Sequence, residues 1–205
     1  SMGIPETRRL LRDAMARGID SSVLLSDKAF AGADTLATAY TLSLGVKRIG
    51  NADLIICGKM AVDGDTAQIG PELAEFLGIP HVTNVCKIDE VNETSITLWC
   101  NADNVQKKVS VTLPALITVE KDINLPRLPS IAGIRMSRKT AYALYDADDL
   151  QANPVLTGLN GSPTQVLQTF TPERRSKAVQ VRGTPAAQAK ELYDVIKRHL
   201  ETEVR

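Results

Sequence analysis

Apolar positions recur with helical spacing three times in the first half of the chain. Leu10, Leu11, Ala14 and Met15 share one face of a stretch from Thr7 to Arg17, and Gly18 ends it. Leu36, Ala39, Leu42 and Val46 do the same over Thr35 to Ile49. A third helix is expected from Ala67 to Leu77, where Gly78-Ile79-Pro80 stops it. Between these stretches lie short, wholly apolar runs: Val23-Leu24-Leu25 within Ser22 to Ser26, and Leu54-Ile55-Ile56-Cys57. Runs without polar alternation belong to parallel strands covered on both faces. The order helix, strand, helix, strand, helix predicts half of a doubly wound α/β domain with a mostly parallel sheet.

The period then drops to two. Val82 to Asp89, Ser95 to Asn101, Lys107 to Thr112 and Ala115 to Glu120 read as strands, with turns at Asn92 and Ala102-Asp103-Asn104. They are expected to form an antiparallel extension of the same sheet. Pro126 and Pro129 mark an irregular exposed segment. From Tyr145 to Gly183, with Pro154, Gly158, Gly161, Pro163 and Pro172, the chain reads as an extended arm. A last helix over Pro185 to Val204 carries Leu192, Val195, Ile196 and Leu200 on one stripe, a face suited to packing on this domain or on a partner chain. The expected division is an α/β domain over residues 1–143 and a C-terminal arm and helix over 144–205.

Composition narrows the function classes. Of 205 residues, 24 are Lys or Arg and 24 are Asp or Glu, so the formal net charge is zero. The chain lacks the basic surplus that neutralises a phosphate backbone or an anionic membrane surface. No apolar run approaches the roughly 20 residues of a membrane span. Aromatic residues are 4% of the chain, which implies an aliphatic core. Cys57, Cys86 and Cys100 have no CxxC spacing, and His81 and His199 are the only histidines, so no metal site is expected. An odd cysteine count without a secretory segment suits a reducing, cytoplasmic setting. Neither histidine has a Ser or Cys elbow beside it, which argues against a nucleophilic triad.

The stretch richest in chemistry runs from Gly58 to Pro71, Gly-Lys-Met-Ala-Val-Asp-Gly-Asp-Thr-Ala-Gln-Ile-Gly-Pro. It follows an apolar strand and opens a helix, the crevice where open α/β sheets bind ligands. Gly64 permits a close approach of backbone to ligand. The helix start offers free N–H groups to an anion, and Thr66 can add a hydroxyl donor. Asp63 and Asp65 would repel a phosphate; they suit a ribose hydroxyl or an amide donor. The same residues have a plainer reading, in which Asp65 and Gln68 form a capping pair and Asp-Gly is a turn. Phe30 to Thr38 also follows a strand and opens a helix, with Thr35 and Thr38 on one side of its first turn. There Asp34 or Thr35 can equally be a simple N-cap. The two loops, on adjacent strands, would frame one crevice. A third segment, Val119 to Ile131, carries Leu125, Leu128 and Ile131 between prolines. They either dock into a partner's pocket or fill the core beneath a crossover loop.

Together these segments resemble the β subunit of electron transfer flavoproteins. Leu54 to Lys59 running into Asp63 to Pro71 is similar to that family's nucleotide loop, and Lys121 to Arg127 to its signature region. Phe30 to Thr38 and Gly158 to Thr164 are similar to the forms found in the electron-bifurcating branch. The resemblance spans nearly the whole chain. It implies that a complete subunit carries a further strand, loop, helix and strand ahead of Ser1, so that this chain presents a half-open crevice and an uncovered sheet edge.

The resemblance further implies pairing with an α subunit that carries FAD. The β site itself holds AMP in ordinary members or a second FAD in bifurcating ones, and Asp63-Gly64-Asp65-Thr66 with Thr35 and Thr38 leans toward FAD. Gly58, Lys59, Met60, Ala61, Val62, Asp63, Gly64, Asp65, Thr66, Ala67, Gln68 and Ile69 would line the nucleotide, with Thr35 and Thr38 reaching it and Leu54 nearby. Asn124, Leu125, Pro126, Arg127, Leu128 and Ile131 would belong to the loop that docks an acyl-CoA dehydrogenase. Here that loop reads Leu128-Pro129-Ser130-Ile131-Ala132-Gly133 and diverges from the family pattern, with Ile131 where a leucine anchor is expected. The subunit would be an electron carrier with no catalytic residue of its own. NADH oxidation, with electrons divided between ferredoxin or flavodoxin and the dehydrogenase, would belong to the heterodimer. A second reading of the same fold is a non-redox adenine-nucleotide sensor or stress-type protein.

Overall fold

The computed structural model describes residues 1–50, 52–62, 64–171 and 180–203, the last three of these as backbone only. Ser1–Gln165 forms one compact unit and Val166–Arg205 a second. The first unit opens with a 3-10 turn, Pro5–Thr7, that leads into α1 (Arg8–Ala16). There follow β1 (Val23–Leu25), α2 (Thr35–Ile49), β2 (Leu54–Gly58), α3 (Ile69–Leu77), β3 (His81–Val91), β4 (Ser95–Ala102), β5 (Val105–Thr112), β6 (Ala115–Val119), α4 (Ile131–Lys139) and β7 (Ala143–Tyr145). The second unit contains α5 (Pro185–Glu203). The first unit runs past residue 143 because β7 pairs in parallel with β1.

The architecture is α/β, with a mostly parallel arrangement and an antiparallel extension. The larger sheet has the order β2-β6-β3-β4-β5. β2, β6 and β3 run parallel, and β3, β4 and β5 form the antiparallel meander. The β4–β5 turn is two residues, Asp103 and Asn104. Asp103 takes a φ of 50°, the left-handed geometry that tight hairpins need. Its β4 strand alternates buried and half-buried positions, as a one-sided sheet requires.

Two expectations are corrected. β1 and β2 are not neighbours: β1 pairs with β7, and β2 pairs with β6 at the edge of the other sheet. The strand buried on both faces is β6, where Ala115, Leu116, Ile117 and Thr118 are all buried, whereas Ile56 of the equally apolar β2 is 57% exposed. An edge position leaves β2 without a second flank to bury it.

α2 lies between two apolar clusters, one with Leu116, Leu73 and Ala74, the other with Leu25, Phe30 and Leu150. This explains why its buried positions are small (Ala37, Ala39, Thr41, Ser43, Gly45) and why Leu36 is partly exposed. A Cβ at Gly45 would press on Leu25, and one at Gly70 of α3 would run into the Thr118 methyl of β6. α1 packs on α4 by the same device, with Gly133 lying against the Ala16 carbonyl. α4 itself follows the segment marked by Pro126 and Pro129 and is not expected from the sequence. Ser130 starts it by accepting a hydrogen bond from the Gly133 N–H at 2.9 Å. Among the described residues no helix is long and apolar enough to cross a membrane.

Candidate functional site

The loop after β2 begins as a continuation of the sheet. The Lys59 N–H donates to the Val119 carbonyl at 3.1 Å, and Lys59 Nζ pairs with Glu120 Oε1 at 3.0 Å. Beyond that the loop leaves the body: Met60 is 48% exposed, Val62 fully exposed, and Ala61, Gly64, Asp65, Thr66 and Gln68 are exposed as well. Asp63 lies outside the described residues. Asp65 and Ala67 take φ values of 51° and 56°, left-handed conformations that cost a non-glycine residue about 1 kcal/mol each. A Cβ at Gly58 or at Gly64 would meet nothing within 4 Å among the described residues, so no packing among them demands glycine there.

The capping-pair reading of Asp65 and Gln68 does not hold. α3 starts at Ile69, Gln68 is its N-cap residue, and among the described residues no side chain caps the helix. Pro71 brings no N–H to its first turn, so the Ile69 and Gly70 N–H groups are the donors left to an anion. At α2 the simple N-cap reading does hold. Asp34 accepts from the Ala37 N–H at 3.1 Å and also receives the Thr164 N–H and hydroxyl, at 3.0 and 2.8 Å. Burial works to raise the Asp34 carboxyl, but these hydrogen bonds outweigh it and hold it below the ordinary 3.8. Asp34 is thus committed to structure, and Thr35 is left free to do something else.

Thr35 turns toward α3. Its hydroxyl lies 3.2 Å from Glu72 Oε1 and 3.5 Å from Gln68 Oε1. Thr35 and Thr38 are half-buried on the first turn of α2, so two helix starts and the exposed loop converge. Although β1 and β2 do not pair, their loops do meet, because α2 packs on α3 with Tyr40 and Phe76 edge to face at 5.7 Å. Leu54 is not part of this convergence. It sits at the far end of β2, about 13 Å along the strand from Gly58, and packs against the Val82, Ile96 and Ile117 cluster.

Glu72 was not singled out from the sequence, and Glu120, Ser162 and Thr164 fell only within longer segments, with no role. Glu72 stands one helical turn beyond Gln68, a spacing that could have flagged it. Its Oε2 is buried and accepts no hydrogen bond from a described residue. Burial pushes its carboxyl above the ordinary 4.5; the Thr35 hydroxyl works against this, and the like charge of Asp34 adds to it. The arm motif Gly158 to Thr164 proves to be the mate of the loop at residues 30–35. Ser162 Oγ accepts the Asp34 N–H at 2.8 Å, and the Leu159 N–H donates to Ala31 O at 3.1 Å.

The third segment is a surface loop rather than core filling. Leu125 is 95% exposed, Leu128 88% and Ile131 81%. Ile123 anchors its start in the β3–β4 cluster. Arg17 holds its middle, donating to the Arg127 carbonyl at 2.7 Å while paired with Asp13. Asn124 donates to Leu125 O at 3.3 Å. Pro126 and Pro129 stiffen the exposed span.

Chemically, the arrangement suits a ligand with an anionic part for the α3 N–H groups and with hydroxyl or amine donors for Glu72 and Asp65. A nucleotide carries both. Among the described residues no group of three His, Cys, Asp or Glu is placed to hold a metal ion.

Comparison with known proteins gives the family. The electron transfer flavoprotein domain matches residues 1–150. The caffeyl-CoA reductase-Etf complex subunit CarD of Acetobacterium woodii is 37% identical over 184 residues, 90% of this chain and 70% of that protein. The electron transfer flavoprotein subunit beta of Clostridium acetobutylicum is 42% identical over 173 residues, 84% of this chain and 66% of that protein. The acryloyl-CoA reductase electron transfer subunit gamma of Anaerotignum propionicum is 34% identical over 208 residues, 98% of this chain and 78% of that protein. The chain spans about two thirds of the length of the first two. The chain belongs to the electron transfer flavoprotein family, on the side of its β subunits.

Proposed function

We propose that this chain is the nucleotide-carrying β subunit of a heterodimeric electron carrier, with FAD rather than AMP in its own site and a further FAD on an α partner. The observation that carries the reading is the Thr35 hydroxyl lying 3.2 Å from Glu72 at the uncapped start of α3, beneath the exposed loop. The α3 N–H groups take a phosphate, the Thr66 hydroxyl donates to it or to the sugar, the Thr35 oxygen, its proton given to Glu72, accepts from a sugar hydroxyl, and Asp65 accepts from a hydroxyl or amide. A bound flavin supplies the redox centre, and the chain supplies its position and surroundings. Residues 124–131 present Leu125, Leu128 and Ile131 to an acyl-CoA dehydrogenase or a related reductase of CoA thioesters. The arm and α5 pack on the α subunit. With FAD in the β site, NADH is the electron source and ferredoxin or flavodoxin a second acceptor, in a cytoplasmic complex.

The test is to co-express the chain with its α partner and identify the nucleotides extracted from the complex. Two flavins per heterodimer, reduced by NADH, support the reading. One flavin with AMP keeps the family role and removes the bifurcating one. A colourless homodimer that binds ATP unaided would overturn both and leave the sensor reading. Asp65→Ala with Thr66→Val should lower nucleotide content; unchanged content would place the site elsewhere.

A further inference from the structure

We propose that Glu72 is a specificity-determining residue of this site: its Oε2 accepts a hydrogen bond from a ribose hydroxyl of the nucleotide, while its Oε1 holds the Thr35 hydroxyl. The inference rests on the nucleotide reading above and adds to it a residue and a ligand group. Glu72 lies one turn into α3, on the same face as Gln68, and faces the first turn of α2. One carboxylate oxygen is engaged by Thr35 at 3.2 Å; the other is buried with no donor from any described residue. A buried acceptor without a donor is expensive and calls for an explanation.

Among the described residues none donates to Oε2. Lys59, the cation of the loop, is paired with Glu120 at 3.0 Å. Thr35 already serves Oε1, and Asp34 brings only a second negative charge. The donor therefore comes from the ligand. A phosphate cannot be that group, since it offers an acceptor and repels a carboxylate. The hydroxyls of the adenosine ribose can donate, and AMP and FAD share them. Glu72 thus directs the sugar toward the α2–α3 junction and leaves the uncapped α3 N–H groups to the phosphate.

The experiment uses the heterodimer stripped of its β-site nucleotide, with AMP and 2′,3′-dideoxy-AMP as probes in titration calorimetry. Glu72→Leu should weaken AMP by roughly ten- to a hundredfold, the range of a charge-assisted hydrogen bond. It should leave the already weak dideoxy analogue nearly unchanged. Glu72→Gln keeps the shape but leaves one acceptor for two donors, so it should show the same discrimination to a smaller degree and covers a misfolded leucine variant. Equal losses for both probes, or no loss for AMP, would overturn the inference and show a carboxylate satisfied by protein or water. Asp65→Ala with Thr66→Val separates the two levels. If that variant binds AMP as the wild type does, or if the wild type binds neither AMP nor FAD, the nucleotide reading itself fails.

Discussion

Lys59 Nζ stands 3.0 Å from Glu120 Oε1, and this ion pair joins the loop leaving β2 to the loop leaving β6. The strands are already in register, Gly58 opposite Val119, so the pair extends the ladder by one side-chain step. Beyond it the first loop runs toward the candidate site and the second toward Leu125 and Leu128. Both side chains are partly exposed, so the pair is worth at most about 1 kcal/mol. Lys59→Met or Glu120→Gln should lower the Tm by only about 2–4 °C. Either should also loosen the nucleotide loop, seen as weaker nucleotide binding in titration calorimetry. Unchanged binding would show that the backbone bond from Lys59 to Val119 positions the loop alone.

The glycines separate packing from ligand approach. Gly158 takes a φ of +54°, and a Cβ there would collide with the Ala29 carbonyl. Gly158→Ala should cost about 2 kcal/mol or more through backbone strain and the lost arm contact. Urea unfolding of the heterodimer reads that loss directly. Gly64→Ala meets no atom within 4 Å among the described residues and should leave the unfolding midpoint of the nucleotide-free protein where it was. If the loop backbone closes on a ligand, it should nonetheless lower nucleotide affinity about tenfold or more.

Local chemistry was readable in the sequence, and non-local pairing was not. The helical stripes, the Asp34 cap and a turn within Ala102-Asp103-Asn104 each depend on residues a few positions apart. The order β2-β6-β3 depends on parallel pairings that no short-range pattern encodes, and so the apolar β2 passed for a central strand. α4 was missed because the prolines before it dominate the local signal, while its start rests on one hydrogen bond from Gly133 to Ser130. Asp65 and Gln68 have the spacing of a capping pair, yet Asp65 sits in a left-handed conformation ahead of the helix. Glu72 reads as an ordinary first-turn acid until α2 covers it and its second oxygen is found buried.

Acid should separate Asp27, which caps a 3-10 turn at Lys28–Phe30, and Asp34 from Glu72. Asp27 and Asp34 have folded pKa values below the ordinary 3.8. Asp27 accepts the Ala29 and Ala147 N–H groups; Asp34 is partly buried, a raising effect that its hydrogen bonds outweigh. Their stabilisation is complete above 3.8 and is lost as pH falls through the lowered folded values. Glu72 has the opposite sign. Burial raises it above 4.5, so its ionised form subtracts stability at neutral pH, and the penalty vanishes once the pH falls below 4.5. Asp34→Ala should cost about 1 kcal/mol at pH 7, a typical cap loss. In the nucleotide-free heterodimer Glu72→Gln should raise the Tm at pH 7, and the gain should close as the pH approaches 4.5. A Tm gain that persists below that pH would mean packing rather than charge is responsible.

The exposed apolar loop gives the sharpest separation of stability from recognition. Leu125, Leu128 and Ile131 are 95%, 88% and 81% exposed, so truncating them removes almost no buried surface from this chain. Leu125→Ala and Leu128→Ala should leave the Tm and the nucleotide content of the heterodimer within error of the wild type. Apolar anchors that enter a partner's pocket commonly account for 2 kcal/mol or more of binding each, so each variant should weaken the dehydrogenase complex by about thirtyfold. Stopped-flow transfer from a substrate-reduced acyl-CoA dehydrogenase, run over a range of heterodimer concentrations, measures this. The half-saturating concentration should rise while the limiting rate stays fixed, because these leucines lie outside the proposed nucleotide site. A fall in the limiting rate at unchanged half-saturation would mean that these leucines orient the docked partner rather than capture it. Arg17→Ala offers a control of intermediate effect. It keeps every leucine but removes the 2.7 Å bond that holds the Arg127 carbonyl, so it should weaken docking by leaving the loop less ordered.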